Sequence, residues 1–249
     1  MLADSINSGT DVLSSLMTFI GGKIASEPSD SDHNYGHGKA EYIFSLIISL
    51  VMGYLAIKVA FQGIESLITE RKFELSLALV FVCLLTIITK VILYFYTNKI
   101  GKKSNNILIL ANAKDHINDV YTTVSVLVGV LASLANLYWL DGLVAIIIAI
   151  RIFATAIEFF KQSYNVLLDV SMKEDEIQKI KDIISSYEKI DHIDKITSKA
   201  VGNSFVVIIK VSIDGNMTVK ESHDIVGKMK AEILEEKNIY DVIVHVNPV

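Results

Sequence analysis

The sequence predicts an α-helical transmembrane bundle followed by a small cytoplasmic α+β domain with the order α-β-β-α-β, ferredoxin-like in outline. Three observations predict it. Apolar residues gather into blocks that approach or exceed the roughly 20 residues a spanning helix needs. The composition turns abruptly to charged and polar near Met172. Beyond that point β-branched runs alternate with helix-patterned segments. The expected division is a transmembrane domain over residues 1–171 and a soluble domain over 172–249.

Four apolar blocks, centred on 43–67, 75–96, 120–137 and 140–160, suit spanning helices, and a shorter one over 12–24 precedes them. That first block has no basic segment before it and no convincing small-residue cleavage site, so it reads as a spanning helix carrying polar residues. Orientation follows from Lys and Arg in the short loops. Lys23, Lys39, Lys99, Lys102, Lys103 and Lys114 fall on the side of the soluble tail, and Arg71 and Lys72 on the other. This asymmetry places the tail in the cytoplasm. Five spans then put the N-terminus outside, which is awkward for a chain that begins MLADS and leads to the expectation of a further helix before the first.

A 51% hydrophobic content with mean hydropathy +0.45 makes the lipid bilayer the solvent of the first domain. The net charge of −5, with no basic stripe, excludes nucleic acid as a partner. Cys83 is the single cysteine, so neither a disulfide framework nor a multi-cysteine zinc site can form within one chain.

TDVLSSLMTFIGG over 10–22 and NDVYTTVSVLVGV over 118–130 align Asp11 with Asp119, Val12 with Val120 and Gly21 with Gly129. The same register sets Asn7 over Asp115. Each helix therefore carries a polar pair four residues apart, on one face. Carboxylates at membrane depth cost about +2.5 to +3.5 kcal/mol each at a helix centre on insertion scales, and they mark ion pathways. The bland alternative is that these groups lie near helix ends, cap them or face water. Matching pairs on two similar helices favour a site. Three carboxylates and an amide supply only hard oxygen donors, which suit Mn²⁺, Mg²⁺, Ca²⁺ or Fe²⁺ better than Zn²⁺ or Cu⁺. His116 points about 100° away from Asp115 and reads as a wet histidine near a helix end.

In SDSDHNYGHGKAEYIF, over 29–44, Asp30, His33 and His37 follow the spacing Asp-x-x-His-x-x-x-His. If the segment winds into the next helix, these three close on one cation with mixed nitrogen and oxygen donors. The alternative is a polar surface loop in which Asp30 or Asp32 caps that helix.

The stretch PSDSDHNYGHGKAE resembles the loop between the second and third helices of the cation diffusion facilitator family. With the paired polar helices and the charged tail, the resemblance covers essentially the whole chain. It implies a transport site on Asn7, Asp11, Asp115 and Asp119, and a loop site on Asp30, His33 and His37. Zinc-carrying members typically have a histidine where Asp115 stands, and this donor set is similar to the manganese group, with iron also open. The family typically has six spanning helices, so this chain corresponds to helices two to six. The resemblance also implies a charge pair at a dimer interface between Lys39 and Asp169.

In the tail, KEDEIQKIKDIISSYEKI has an amphipathic helical pattern. Strand-like runs follow over 193–200 and 204–213, with Gly202 and Asn203 as the turn. A helix over 218–236 opens on a capping box of Thr218 and Glu221, and DVIVHVN supplies a last strand. This order resembles the metallochaperone-like cytoplasmic domain of the family, in which histidines bind metal in some members. His223 and His245 keep two of those positions, while Ile209 and Asn247 stand where other ligands would be. They read first as surface or interface histidines.

The expected function is efflux of a divalent cation, Mn²⁺ before Fe²⁺ or Zn²⁺, in exchange for protons, by a multi-pass cell-membrane homodimer. No catalytic cofactor is expected; the metal is cargo and a candidate regulatory ligand. The alternatives are a zinc-selective exporter, a membrane-anchored metal sensor, and a membrane metalloenzyme. The last would need a motif such as His-Glu-x-x-His, which does not occur.

Overall fold

A computed structural model describes side chains for residues 14–69, 77–132, 135, 137 and 139–249, and the backbone alone for residues 2–13 and 133–134. The described elements are α1 (Leu2–Ala25), α2 (Ala40–Thr69), α3 (Leu77–Ser104), α4 (Ile107–Leu134), α5 (Trp139–Leu167), α6 (Glu174–Ser185), β1 (Ile190–Val201), β2 (Ser204–Ile213), α7 (Val219–Leu234) and β3 (Ile239–Pro248). They form two compact units, Met1–Glu27 with Ala40–Tyr164, and Pro28–Lys39 with Asn165–Val249.

In the first unit, α2, α3 and α5 are long and apolar enough to cross a membrane. The 30 residues of α2 make a rod of about 45 Å, longer than the roughly 30 Å hydrocarbon layer. Their burial is one-sided. In α5 the stripe of Ala145, Ala149, Ile152, Ala156 and Phe159 is buried, while Ile147 and Ile150 are exposed, as suits a helix with one face on protein and one on lipid. Small residues bring helices close: a Cβ on Gly63 would lie 2.9 Å from the Gly142 carbonyl oxygen, so α2 and α5 touch there backbone to backbone.

α4 starts 13 residues before the apolar block that predicts it, because the polar run ANAKDHIND is helical too. Asn106 begins it: its side-chain oxygen accepts from the Ile109 N–H at 2.9 Å, and its amide donates to Glu41 Oε1 at 2.6 Å. One residue thus caps α4 and ties it to the first turn of α2.

The second unit confirms the predicted α-β-β-α-β order. Its sheet runs β1-β2-β3, with β1 and β2 antiparallel and β2 and β3 parallel. Val207, Ile209 and Val211 alternate onto one face of β2 and join Ile180 and Ile184 of α6 and Met229 and Ile233 of α7 in a single core. The Thr218 hydroxyl accepts from the Glu221 N–H, and Glu221 Oε2 accepts from the Thr218 N–H at 2.9 Å, the expected capping box. β1 begins at Ile190, three residues earlier than predicted, with two register shifts before Lys195. Gly202, at φ +57°, turns the chain into β2, and Gly38 packs against it so tightly that a Cβ there would lie 3.1 Å from the Gly202 Cα.

Candidate metal sites

Asp115 and Asp119 lie nine and thirteen residues into α4, so one helical face presents both carboxylates one turn apart. They line one cavity of 620 Å³, together with Lys58, Cys83, Asn118 and Thr122. Asp115 is 5% exposed and lies more than two turns inside α4, away from either helix end. His116 is 8% exposed, so the expectation of a wet histidine near a helix end is corrected: this ring is enclosed well inside α4. The hydroxyls of Thr122 and Thr123 donate to the Asp119 carbonyl at 3.0 and 2.8 Å, leaving their lone pairs as further oxygen donors. Asn7 and Asp11, the other half of the expected set, lie outside the residues whose side chains are described.

Lys90, in the middle of α3, is a residue that the sequence reading does not single out. Its ammonium donates to Asp119 Oδ2 at 2.5 Å, and the two side chains are 16% and 14% exposed. The signal was present: an ionisable residue inside an apolar span marks a functional position and calls for a named partner.

Asp30, His33 and His37 do come together, with ligand atoms all within 4.8 Å of one another. The route differs from the one expected, since the segment does not wind into a helix: α2 starts only at Ala40. Instead, Asp30 Oδ1 accepts from the N–H groups of Asp32 at 2.9 Å and His33 at 2.6 Å, and Gly36, at φ +74°, reverses the chain so that His37 returns. His33 Nδ1 is 3.4 Å and His37 Nε2 3.6 Å from the carboxylate. When His37 Nδ1 donates to the Pro28 carbonyl, at 3.3 Å, Nε2 presents its lone pair on the Asp30 side. The His33 N–H first, helped by the Asp32 N–H and the two imidazoles, holds the Asp30 carboxyl below its ordinary value, so it stays ionised for a cation.

Lys39 Nζ donates to Asp169 Oδ1 at 2.6 Å within one chain. Asp169 closes α5 in a left-handed conformation, φ +56°. Its N–H bonds the Val166 carbonyl at 3.1 Å and the Val170 N–H bonds the Asn165 carbonyl at 2.9 Å, a Schellman closure. His223 and His245 are both exposed, on α7 and β3. Among the described residues, the Asp30 group is the one cluster of three candidate ligands. Ile209, where a ligand would otherwise stand, is fully buried in the core, and Asn247 donates to Asp194 Oδ2 at 3.0 Å.

Comparison with known proteins gives the family. Residues 1–168 match the family described as cation efflux transmembrane domain, and residues 172–249 the family described as cation efflux protein, cytoplasmic domain. The chain is similar to the manganese efflux system protein MneP of Bacillus subtilis (strain 168), 30% identical over 256 residues covering 100% of this chain and 86% of MneP. It is also similar to the manganese efflux system protein MneS of the same organism, 29% identical over 248 residues covering 100% of this chain and 85% of MneS. The metal-bound C-terminal domain of the CzcD transporter from Thermotoga maritima aligns at 26% identity over 31% of this chain and 94% of its own, with a TM-score of 0.30.

Proposed function

The chain belongs to the cation diffusion facilitator family of cation efflux proteins, and from that premise we propose that it exports Mn²⁺ in exchange for protons, working as a homodimer. It is a membrane transporter with a cytoplasmic C-terminal domain. The observation that carries the finer reading is the pair of carboxylates, Asp115 and Asp119, set one helical turn apart on a shared cavity. Ionised, they bind a divalent cation; protonated, they release it, so one set of oxygens serves both ions. Asn7 and Asp11 of α1 complete the donor set in this reading. An all-oxygen set favours Mn²⁺ over Zn²⁺, and the names of the two relatives support the same choice. Helices rocking around that site give alternating access.

The Asp30, His33 and His37 loop receives a cation at the cytoplasmic side in this reading, and Lys39 with Asp169 braces the chain where two copies meet. His223 and His245 are left with a surface role. The test is reconstitution of the chain into vesicles with a pH indicator inside. The expected result is Mn²⁺ movement accompanied by proton movement in the opposite direction, lost in Asp119→Ala. Absence of Mn²⁺ flux, or flux without proton counterflow, overturns the proposal.

A further inference from the structure

We propose that Lys90 is a built-in cation that occupies Asp119 between metal loads, so that loading the site exchanges a tethered ammonium for a divalent ion. The inference rests on the transport reading of the Asp115 and Asp119 cavity and adds to it the residue that sets how tightly that site holds its cargo.

Lys90 lies 13 residues from Leu77 and 14 from Ser104, the ends of α3, or about 20 Å of helix from either end. A lysine stem does not reach water along the helix from that depth. Its charge has to be satisfied inside the bundle, and the carboxylate of Asp119, on the neighbouring α4, is a partner at 2.5 Å. Asp119 also lines the cavity with Asp115. The same carboxylate therefore faces two claims, one from Lys90 and one from any cation that enters.

The two claims compete. A divalent ion bound to Asp119 stands within a few ångströms of the ammonium unless Lys90 withdraws, and like charges at that distance repel. Metal binding thus includes breaking the Lys90 contact, which weakens net affinity. When the metal leaves, Lys90 returns to neutralise Asp119, and the proton of the exchange falls to Asp115 on the same cavity. That lowers the cost of the empty state and promotes release. A monovalent metal ion gains too little from Asp119 to displace the ammonium, so the contact also selects for doubly charged cargo.

The experiment is equilibrium Mn²⁺ binding to the full chain in detergent, followed by the free-Mn²⁺ electron paramagnetic resonance signal, for the parent, K90Q and K90R. Turnover is measured in vesicles in parallel. K90Q removes the competitor and is expected to bind Mn²⁺ tighter, on the order of tenfold or more, while releasing it more slowly and turning over less. Unchanged or weaker binding by K90Q that keeps the parent's thermal transition overturns the proposal and makes the contact a structural brace. If K90Q loses that transition, K90R decides. A guanidinium forks over a carboxylate with two hydrogen bonds, so it is expected to bind Mn²⁺ more weakly than the parent; equal or tighter binding overturns the proposal. A parent that neither binds nor moves Mn²⁺ removes the transport reading itself, an outcome separate from either result with the variants.

Discussion

Asp169 holds the Lys39 ammonium at 2.6 Å while its own backbone sits at φ +56°, at the end of α5. The two properties oppose each other in stability. An aspartate in the left-handed region is strained relative to glycine, and the pair, with side chains 35% and 41% exposed, returns about 0 to 1 kcal/mol. Asp169→Gly is therefore expected to leave the thermal midpoint nearly unchanged, while Asp169→Ala, which keeps the strain and loses the charge, lowers it. Thermal melts of the three proteins check the order. The proposed role at a dimer interface is checked separately by light scattering: K39D and D169K each shift the chain toward monomer, and the double variant restores the dimer.

Selectivity is expected to follow donor type at Asp115. Replacing it with histidine turns an all-oxygen set into a mixed one and moves preference from Mn²⁺ toward Zn²⁺. Competition uptake of the two ions into vesicles, comparing Asp115→His with the parent, reads this directly; equal ratios would remove the donor argument.

Asp30 gives a pH signature. Its folded value is depressed, chiefly by the His33 N–H, so its ionised form contributes to loop stability above the ordinary carboxylate range near 4, and that contribution is lost as pH falls through the lower folded value. Asp30→Asn removes both the depression and the negative charge of the one anionic donor, leaving a neutral amide oxygen. It is expected to lower bound Mn²⁺ by one ion per chain near neutral pH, measured by elemental analysis of the desalted protein.

His192 behaves with the opposite sign. The hydrogen bond that its ring donates to Asp191, aided by the neighbouring Asp194, raises its value. Its contribution to folding is fully present below about 6.5, the ordinary histidine value, and is lost as pH rises through the folded value. Denaturation midpoints of the parent should fall between pH 6 and pH 8 by more than those of His192→Ala.

Ile209 tests whether the cytoplasmic domain can regain a ligand by a single change. Its side chain is fully buried among Ile180, Met229 and Val242, so Ile209→Ala is expected to cost about 2 to 5 kcal/mol. Ile209→His places an unpartnered polar ring in that core and costs a comparable amount without adding a metal, as calorimetry with and without Mn²⁺ would record.

The helices and the tail were legible because both rest on periodicity: apolar runs long enough for a bilayer, and β-branched alternation in β2. The start of α4 was less so, since Lys114, Asp115, His116 and Asp119 break the apolar signal that marks a span, and only packing against other helices makes Asp115 and His116 interior. The spacing of Asp30, His33 and His37 disclosed the cluster but not its route, because an Asx turn and the left-handed Gly36 replace the helical winding that the spacing suggested. Lys90 escaped for a related reason. A single charge barely lowers the hydropathy of α3, and its partner lies 29 residues away on another helix.

α3 buries little of itself among the described side chains, with Cys83 and Gly101 its buried residues, while Phe81, Ile92 and Phe95 are open. A rod greasy on nearly every side has no preferred azimuth in oil: turning it about its own axis changes its solvation very little. Lys90 supplies the missing compass bearing, since the ammonium is the one group in the middle of α3 that lipid will not accept. When cargo takes Asp119 in the proposed exchange, that bearing is released, and the packing of α3 along α4 alone sets which way the rod is turned.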